Sequence, residues 1–485
     1  MDKKGNISQR LAKNAAALSI AQIARIGFGT VLSLLVARKL GAEGLGKYAV
    51  LNAYLQIFQM LAKVGVNRLA VREMARKPKE GRDWFQRTLV NQVLGAGGSA
   101  VALILIANLL NHPADTTRAL EIAALSLLPF AMASASESAF QAKEQMGFTA
   151  LAQVIARGSQ VIGSVLLLLA GHGIVALAWM FVVGQCLVVI IEINITRRMG
   201  LWQNFSVDLR MVFTLYRQSW EFFVQSILVI VFTKIDVLIL SQIVGEKATG
   251  LYNAAYLVIR VINFLSASYS EAAYPVLSRL FVKARASFET MISKSLLFGV
   301  AGALLIALWL EIAAEPIIGL LYPGKDYATS VSLLRIEAPF VVIFMWNALL
   351  AKGLMSSGHQ RYSVIVSGIK LGIGLICHFA LTTWLGVEGT AMATVLAALS
   401  GTILNYYFFE KVYALDLVTL VVKPLTIGAL LLILLWVTQG LAWPGLIVGG
   451  TLLYLSLLIV FRIFSKQDLR LLWQTVRPLQ TQEPS

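Results

Sequence analysis

The chain is 485 residues long, 58% hydrophobic and only 14% charged, with a mean hydropathy of +0.75. Soluble domains carry about 25% charged residues, so these proportions exclude a water-facing globular protein. A formal net charge of +16 raises a nucleic-acid partner as one reading, and the placement of the charges along the chain argues against it.

Residues 1–14 hold Lys3, Lys4, Arg10 and Lys13 and run into a long apolar segment. No short apolar core with a small-residue cleavage site follows, which predicts a retained first helix rather than a signal peptide. Further apolar stretches recur to the end of the chain, each long enough to cross the ~30 Å hydrocarbon core as a helix of about 20 residues. The short alternating segments of a membrane barrel do not appear. The expected spans lie near 12–37, 46–66, 87–110, 119–141, 149–170, 174–195, 218–243, 250–272, 295–314, 331–353, 362–384, 388–408, 424–440 and 445–462. The fold class expected is therefore an all-α polytopic membrane protein of about 14 transmembrane helices.

With the N-terminus inside, most of the 41 Lys and Arg residues fall in cytoplasmic segments, and the outer loops hold only Arg38, Lys39, Lys47, Arg118, Lys247 and Lys325. The positive-inside rule then places both termini in the cytoplasm, in a bacterial inner membrane. The basic excess is topological. The Arg/Lys-rich loop at 68–87 is an orientation signal that also meets anionic lipid, and no nucleic-acid partner is expected.

The chain repeats itself. LGAEGLGKY with Gly41, Gly46 and Tyr48 matches VGEKATGLY with Gly245, Gly250 and Tyr252, in turns where glycine permits a tight helix–helix connection. Pro129-Phe130 matches Pro339-Phe340, Gly147 matches Gly358, Gly163 matches Gly374, and GIVALA from Gly173 matches GVEGTA from Gly386. Six helices separate the copies, so the halves have the same orientation, a parallel repeat about an axis along the membrane normal. The expected domains are a six-helix bundle at 1–205, a second at 206–412, and an extra helix pair with a cytoplasmic tail at 413–485. Two facing bundles make a cavity and a rocking hinge, as a transporter needs.

The segment LVARKLGAEGLGKYAVLNAYLQIFQMLAKVGVNRLAVREMAR (35–76) resembles the opening of the polysaccharide-export flippases of the multidrug/oligosaccharidyl-lipid/polysaccharide superfamily. IDVLILSQIVG (235–245) is similar to that family's seventh helix. The resemblance implies translocation of a polyprenyl-diphosphate-linked oligosaccharide across the cytoplasmic membrane by alternating access. It also implies membrane lipids and the polysaccharide polymerase or export machinery as partners.

Such a substrate calls for buried cations for the diphosphate and for amides or hydroxyls for the sugar. Helical spacing groups Gln22, Arg25, Gly29 and Ser33 in the first span, and Asn52, Gln56, Gln59 and Lys63 in the second. It groups Asn253, Tyr256, Arg260 and Asn263 in the eighth, and Ser363, Ser367, Lys370, Gly374 and His378 in the eleventh. A charge at the bilayer centre costs at least about 2.5–3.5 kcal/mol, so these stripes face protein or water. Arg25 and Arg260 lead the candidates, then Lys370, with Lys234 beside them; a structural ion pair is the competing reading. Lys63 and Lys352 read as snorkelling to the interface, and Arg157 as interfacial. Asp236, on one face with Glu221 and Gln225, is the candidate for ion or proton coupling, with a structural partner for Arg25 or Arg260 as an equal reading; Glu137 stands behind it, with pairing near the cytoplasmic rim as its alternative. His112, His172 and His359 fall in loops, and only His378 is intramembrane.

Cys186 and Cys377 sit in apolar segments and offer no disulfide or metal framework. No nucleotide-binding loop, metal cluster or nucleophile–base pair stands out, so neither an enzyme nor a cofactor is expected. The alternatives are a lipid II flippase of peptidoglycan synthesis, a multidrug/cation antiporter of the same superfamily, and a membrane-bound glycan enzyme. The last would need large outer loops, which this chain lacks.

Overall fold

The computed structural model describes residues 2–205, 209–413, 416, 420, 422–437 and 443–461. The helices are α1 (Asp2–Lys63), α2 (Val66–Arg76), α3 (Gly81–Leu109), α4 (Ala114–Ala124), α5 (Leu127–Ala142), α6 (Met146–Leu169), α7 (Ile174–Arg198), α8 (Leu209–Phe232), α9 (Ile235–Ile243), α10 (Glu246–Lys283), α11 (Arg285–Leu321), α12 (Ala328–Ser356), α13 (Gln360–Glu410), α14 (Lys423–Val437) and α15 (Trp443–Val460). Among the described residues ten helices are long and apolar enough to cross a membrane, or eleven if the bent pair α8–α9 is one span. The chain is a multi-pass membrane protein.

A count of about fourteen crossings is consistent with these helices. The two longest are each broken at a glycine, α1 at Gly41 (φ 70°) and α13 at Gly386 (φ 62°). Both lie in the left-handed region that side chains with a Cβ avoid, so each long helix is two apolar rods meeting at a sharp corner. The end of the expected 424–440 span and the basic tail with Arg462, Lys466, Arg470 and Arg477 lie outside the described residues.

The chain forms two compact units. The first comprises Met1–Leu257, Gly319–Ser330 and Leu371–Ala393. Its helices approach closely through small residues: Ala133, Ala152 and Ala156 pack with Val188 and Val189 between α5, α6 and α7. Some of the polar groups buried there bond across helices. The Asn67 amide donates to the Ser134 and Ser138 hydroxyls at 2.7 and 3.1 Å, and Gln92 donates to Asn67 Oδ1 at 2.6 Å, tying α2 to α5 and α3. The second unit comprises Val258–Ile318, Val331–Lys370 and Thr394–Ser485. Leu297, Val300, Leu304 and Leu308 of α11 pack there on Ile427, Leu431, Tyr454 and Leu458 of α14 and α15. The Tyr454 hydroxyl is satisfied by the Ala301 carbonyl at 3.0 Å.

The repeated glycines meet each other inside the first unit. A Cβ on Gly46 would overlap the Glu246 carbonyl oxygen, and one on Gly250 would overlap that of Ala42. Each would also lie 2.9 Å from the other glycine's backbone nitrogen. The contact is reciprocal, and only residues without a side chain permit it.

One expectation about helical faces changes. α8 and α9 are bent by 47° at the break between Phe232 and Ile235, where neither proline nor glycine is present. The regular spacing that would place Asp236 on one face with Glu221 and Gln225 does not run through that bend, and the side chains of Glu221 and Gln225 lie outside the described residues.

Candidate functional site

The first unit contains a polar cavity of about 210 Å³. Arg25, Gln56, Gln59 and Lys63 reach it from α1, Glu137 from α5, Gln153, Arg157 and Gln160 from α6, and Gln185 from α7. Among the described residues, three cations and five amides therefore converge on a space with one carboxylate. Arg157 donates to Gln160 Oε1 at 2.8 Å, Gln153 donates to Glu137 Oε1 at 2.7 Å, and the Lys63 ammonium stands 4.9 Å from the centre of the Phe130 ring. Fixed guanidinium and ammonium groups bind phosphate oxygens, and amides match sugar hydroxyls.

Of the residues expected from helical stripes, Arg25, Gln56, Gln59 and Glu137 come together here. Gln22 and Asn52 do not line the cavity; the Asn52 amide instead donates back to the Tyr48 carbonyl at 2.8 Å, one turn earlier. Lys63 and Arg157, read from the sequence as interfacial, line it. Gln153, Arg157 and Gln160 are spaced as one face of α6, a stripe that was available in the sequence.

Asn253 and Tyr256 belong to the first unit and line no part of this cavity; Tyr256 stacks on Tyr252 with ring centres 5.8 Å apart. Arg260, Asn263 and Lys370 belong to the second unit. There Arg260 is exposed, Asn263 is buried, and the Lys370 stem lies over Gly401, where a Cβ would come 2.7 Å from Lys370 Cδ. Asn405 donates to Asn347 Oδ1 at 2.7 Å in the same unit. Lys352, expected at an interface, is paired with Glu271 at 2.6 Å.

A second polar cluster of the first unit surrounds Asp236. The carboxylate is buried, accepts the Tyr252 hydroxyl at 2.8 Å and the Val237 amide at 2.8 Å, and interacts electrostatically with buried His378. His378 Nδ1 has no hydrogen-bond partner among the described residues, and Thr382 and Thr390 share a bond of 2.8 Å nearby in sequence. Lys234, two residues before Asp236, precedes the first turn of α9 with φ −131°.

A third cluster lies beside the reciprocal glycines. Lys47 bonds Asp115 at 2.7 Å and Glu43 at 2.8 Å and stands 4.0 Å from Glu246, whose side chain is 4% exposed. His112 lies in the loop between α3 and α4, as expected, and its side chain is 1% exposed, with Nδ1 3.7 Å from Glu246 and Nε2 near Tyr54 and Gln242. Lys47→Ala is expected to cost on the order of 1–3 kcal/mol, because it strips a buried carboxylate of its ammonium. Lys47→Ala with Glu246→Gln should recover most of that loss in thermal melting, a double-mutant cycle that separates the pair from local packing.

A family model for polysaccharide biosynthesis proteins matches residues 11–281. The chain belongs to the polysaccharide biosynthesis protein family. It is similar to a putative O-antigen export protein of Yersinia pseudotuberculosis, 23% identical over 38% of this chain and 44% of that protein, so the match spans under half the relative's length. It is also similar to a probable low-salt glycan biosynthesis flippase of Haloferax volcanii, 20% identical over 83% of this chain and 84% of the relative. Among solved structures it resembles the lipid II flippase MurJ in an inward closed conformation, with a TM-score of 0.78 at 16% identity, covering 93% of this chain and 99% of that one. This family member has the fold of the multidrug/oligosaccharidyl-lipid/polysaccharide superfamily.

Proposed function

We propose that this protein is a flippase that carries a polyprenyl-diphosphate-linked oligosaccharide from the cytoplasmic to the outer leaflet by alternating access, for polysaccharide synthesis or export. The observation that carries the reading is the cavity itself: among the described residues, Arg25, Lys63 and Arg157 with five glutamines, against the one carboxylate of Glu137. An anionic head group rich in hydroxyls satisfies that set. An organic cation does not, which disfavours a drug antiporter. The volume of about 210 Å³ is below the roughly 300–1,000 Å³ of ligand sites, so the cavity takes part of the head group and not the whole oligosaccharide.

The energy source on this reading is an ion gradient, the membrane potential or consumption of the product outside, rather than a reaction catalysed by the chain. Both termini are placed in the cytoplasm, and the repeats at 1–205 and 206–412 are the elements that move, with the pair in 413–485 added to them. Arg260, Asn263 and Lys370 are the second half's candidates for holding substrate, and Asn253 and Tyr256 are tested beside them. Asp236 with His378 is the coupling site, and Lys234 is its nearest cation in sequence. Asp236→Asn is expected to remove the dependence of flipping on a pH gradient while substrate binding persists; loss of binding would place the residue in the substrate site instead.

The deciding experiment is leaflet assignment of lipid-linked glycan. Cells without this protein should accumulate it on the cytoplasmic side, and restoring the gene should move it outward. Restored growth of cells depleted of their lipid II flippase, with unchanged glycan distribution, would replace this reading with the peptidoglycan one.

A further inference from the structure

The internal repeat singles out a carboxyl pair, Glu192 buried and Glu137 half-buried at the cavity. With Pro129-Phe130 aligned on Pro339-Phe340, Glu137 falls on Asn347; with Gly173 aligned on Gly386, Glu192 falls on Asn405. Burial supports the second alignment. Val188, Val189, Glu192 and Thr196 are buried and Ile190 and Asn194 exposed, as are Gly401, Thr402, Asn405 and Phe409 against Ile403 and Tyr407. In the second unit the two positions face each other, because Asn405 donates to Asn347 at 2.7 Å. In the first unit both amides are replaced by carboxyl groups.

We propose that Glu137 and Glu192 together bind one exchangeable proton at the edge of the cationic cavity. Glu192 is 0% exposed, interacts electrostatically with Glu137, and neither of its carboxyl oxygens has a hydrogen-bond partner among the described residues. An amide pair supplies a donor and an acceptor without charge. Two carboxylates supply only acceptors, and an ionised one buried without partners costs far more than a neutral acid. One proton restores the donor that Asn405 provides in the other unit.

Glu192 itself makes no ion pair among the described residues. Ala133, Ala152, Ala156, Val188 and Val189 form the apolar wall between α5, α6 and α7. From α1, Arg25 and Lys63 reach the cavity, and from α6, Arg157 is bonded to Gln160. α2 meets α5 through the neutral Asn67, to which the neutral Gln92 of α3 donates, and Phe85 and Leu89 of α3 pack on Ala135 and Ala139 of α5. On α4, Asp115 is paired with Lys47, Glu121 accepts from Asn108, and Arg118 is exposed; at the end of α7, Arg197 stands over the Trp202 ring. Glu137 itself lines the cavity and Glu192 sits one turn beyond Val188, which also lines it. Cations of an arriving substrate site and the proton therefore share one space, and binding an anion there is coupled to the pair's protonation. This role rests on the transport reading; the pair's protonation does not.

The test is infrared difference spectroscopy of the purified full chain, which reads the protonated carboxyl stretch without any substrate. A band sensitive to deuterium exchange is expected in the native protein, lost in Glu192→Gln and kept in Asp236→Asn. A native spectrum with the same band in Glu192→Gln overturns the proposal, and so does a native band removed by sodium at constant pH, which would make the pair a metal-cation site. If Glu192→Gln fails to fold, the double variant Glu137→Asn with Glu192→Asn copies the second unit's pair and replaces it. Native spectra with no band change across the titration overturn the proposal whatever the variants do. A flippase assay that fails while the band behaves as expected would count against the transport reading alone.

Discussion

Gly250→Ala is expected to leave little properly folded protein in detergent, and Gly46→Ala to do the same. The added methyl would overlap the Ala42 carbonyl oxygen in the first case and the Glu246 carbonyl oxygen in the second. Overpacking against side chains costs typically about 1–3 kcal/mol. Here the obstacle is backbone on a facing helix, which cannot rotate away, so the loss should reach the upper end of that range or pass it. Gly97→Ala is the control. It lies within α3 with nothing within 4 Å of an added Cβ, and alanine favours a helix over glycine by roughly 0.5–1 kcal/mol. Melting followed by size-exclusion chromatography should therefore rank the Gly97 variant at or above the native protein and the other two far below it. Equal melting of all three would mean that the two glycine-bearing turns do not pack in this way.

The second large effect concerns the cavity cations. Arg25→Ala and Arg157→Ala should each reduce glycan export by about 10- to 100-fold, the loss of a charged hydrogen bond of roughly 1.5–3 kcal/mol. Insertion and melting should change little for Arg25, which is exposed within the unit. Arg25→Lys keeps charge but not the planar fork, so partial rescue would indicate paired contacts to phosphate oxygens. Export unaffected in both alanine variants would remove the cavity from the transport path.

The helical architecture was legible because apolar runs of spanning length are a strong signal and the repeated G-x4-G-x-Y turns mark the corners. The corner at Gly41 and the close approach at Gly46 use the two glycines of one motif for different reasons, a left-handed backbone and the absence of a Cβ. The cavity was partly legible. Arg25, Gln56, Gln59 and Glu137 follow from polar stripes; Lys63 shares the stripe of Gln56 and Gln59, but its place near the end of a span, like that of Arg157, suggests the interface, because distance from a span's end does not report what faces the side chain. Asn52 shows the opposite error: an amide on the expected face that bonds its own helix. Glu192 lies in the apolar run LVVIIEINI, where one acid carries no periodic signal; its meaning depends on the second copy. The bend between α8 and α9 has no proline or glycine to announce it, so tertiary packing decides it.

The reciprocal meeting of the two glycine turns also bears on ancestry. A surface in which one residue meets its counterpart's neighbour, and the counterpart returns the same contact, is what two identical subunits make about a two-fold axis. A gene half this length, encoding a single copy of the motif, would have yielded a protein able to pair with its twin. Duplication and fusion of such a gene would make that seam internal and leave each copy to diverge, with acids in one and amides in the other.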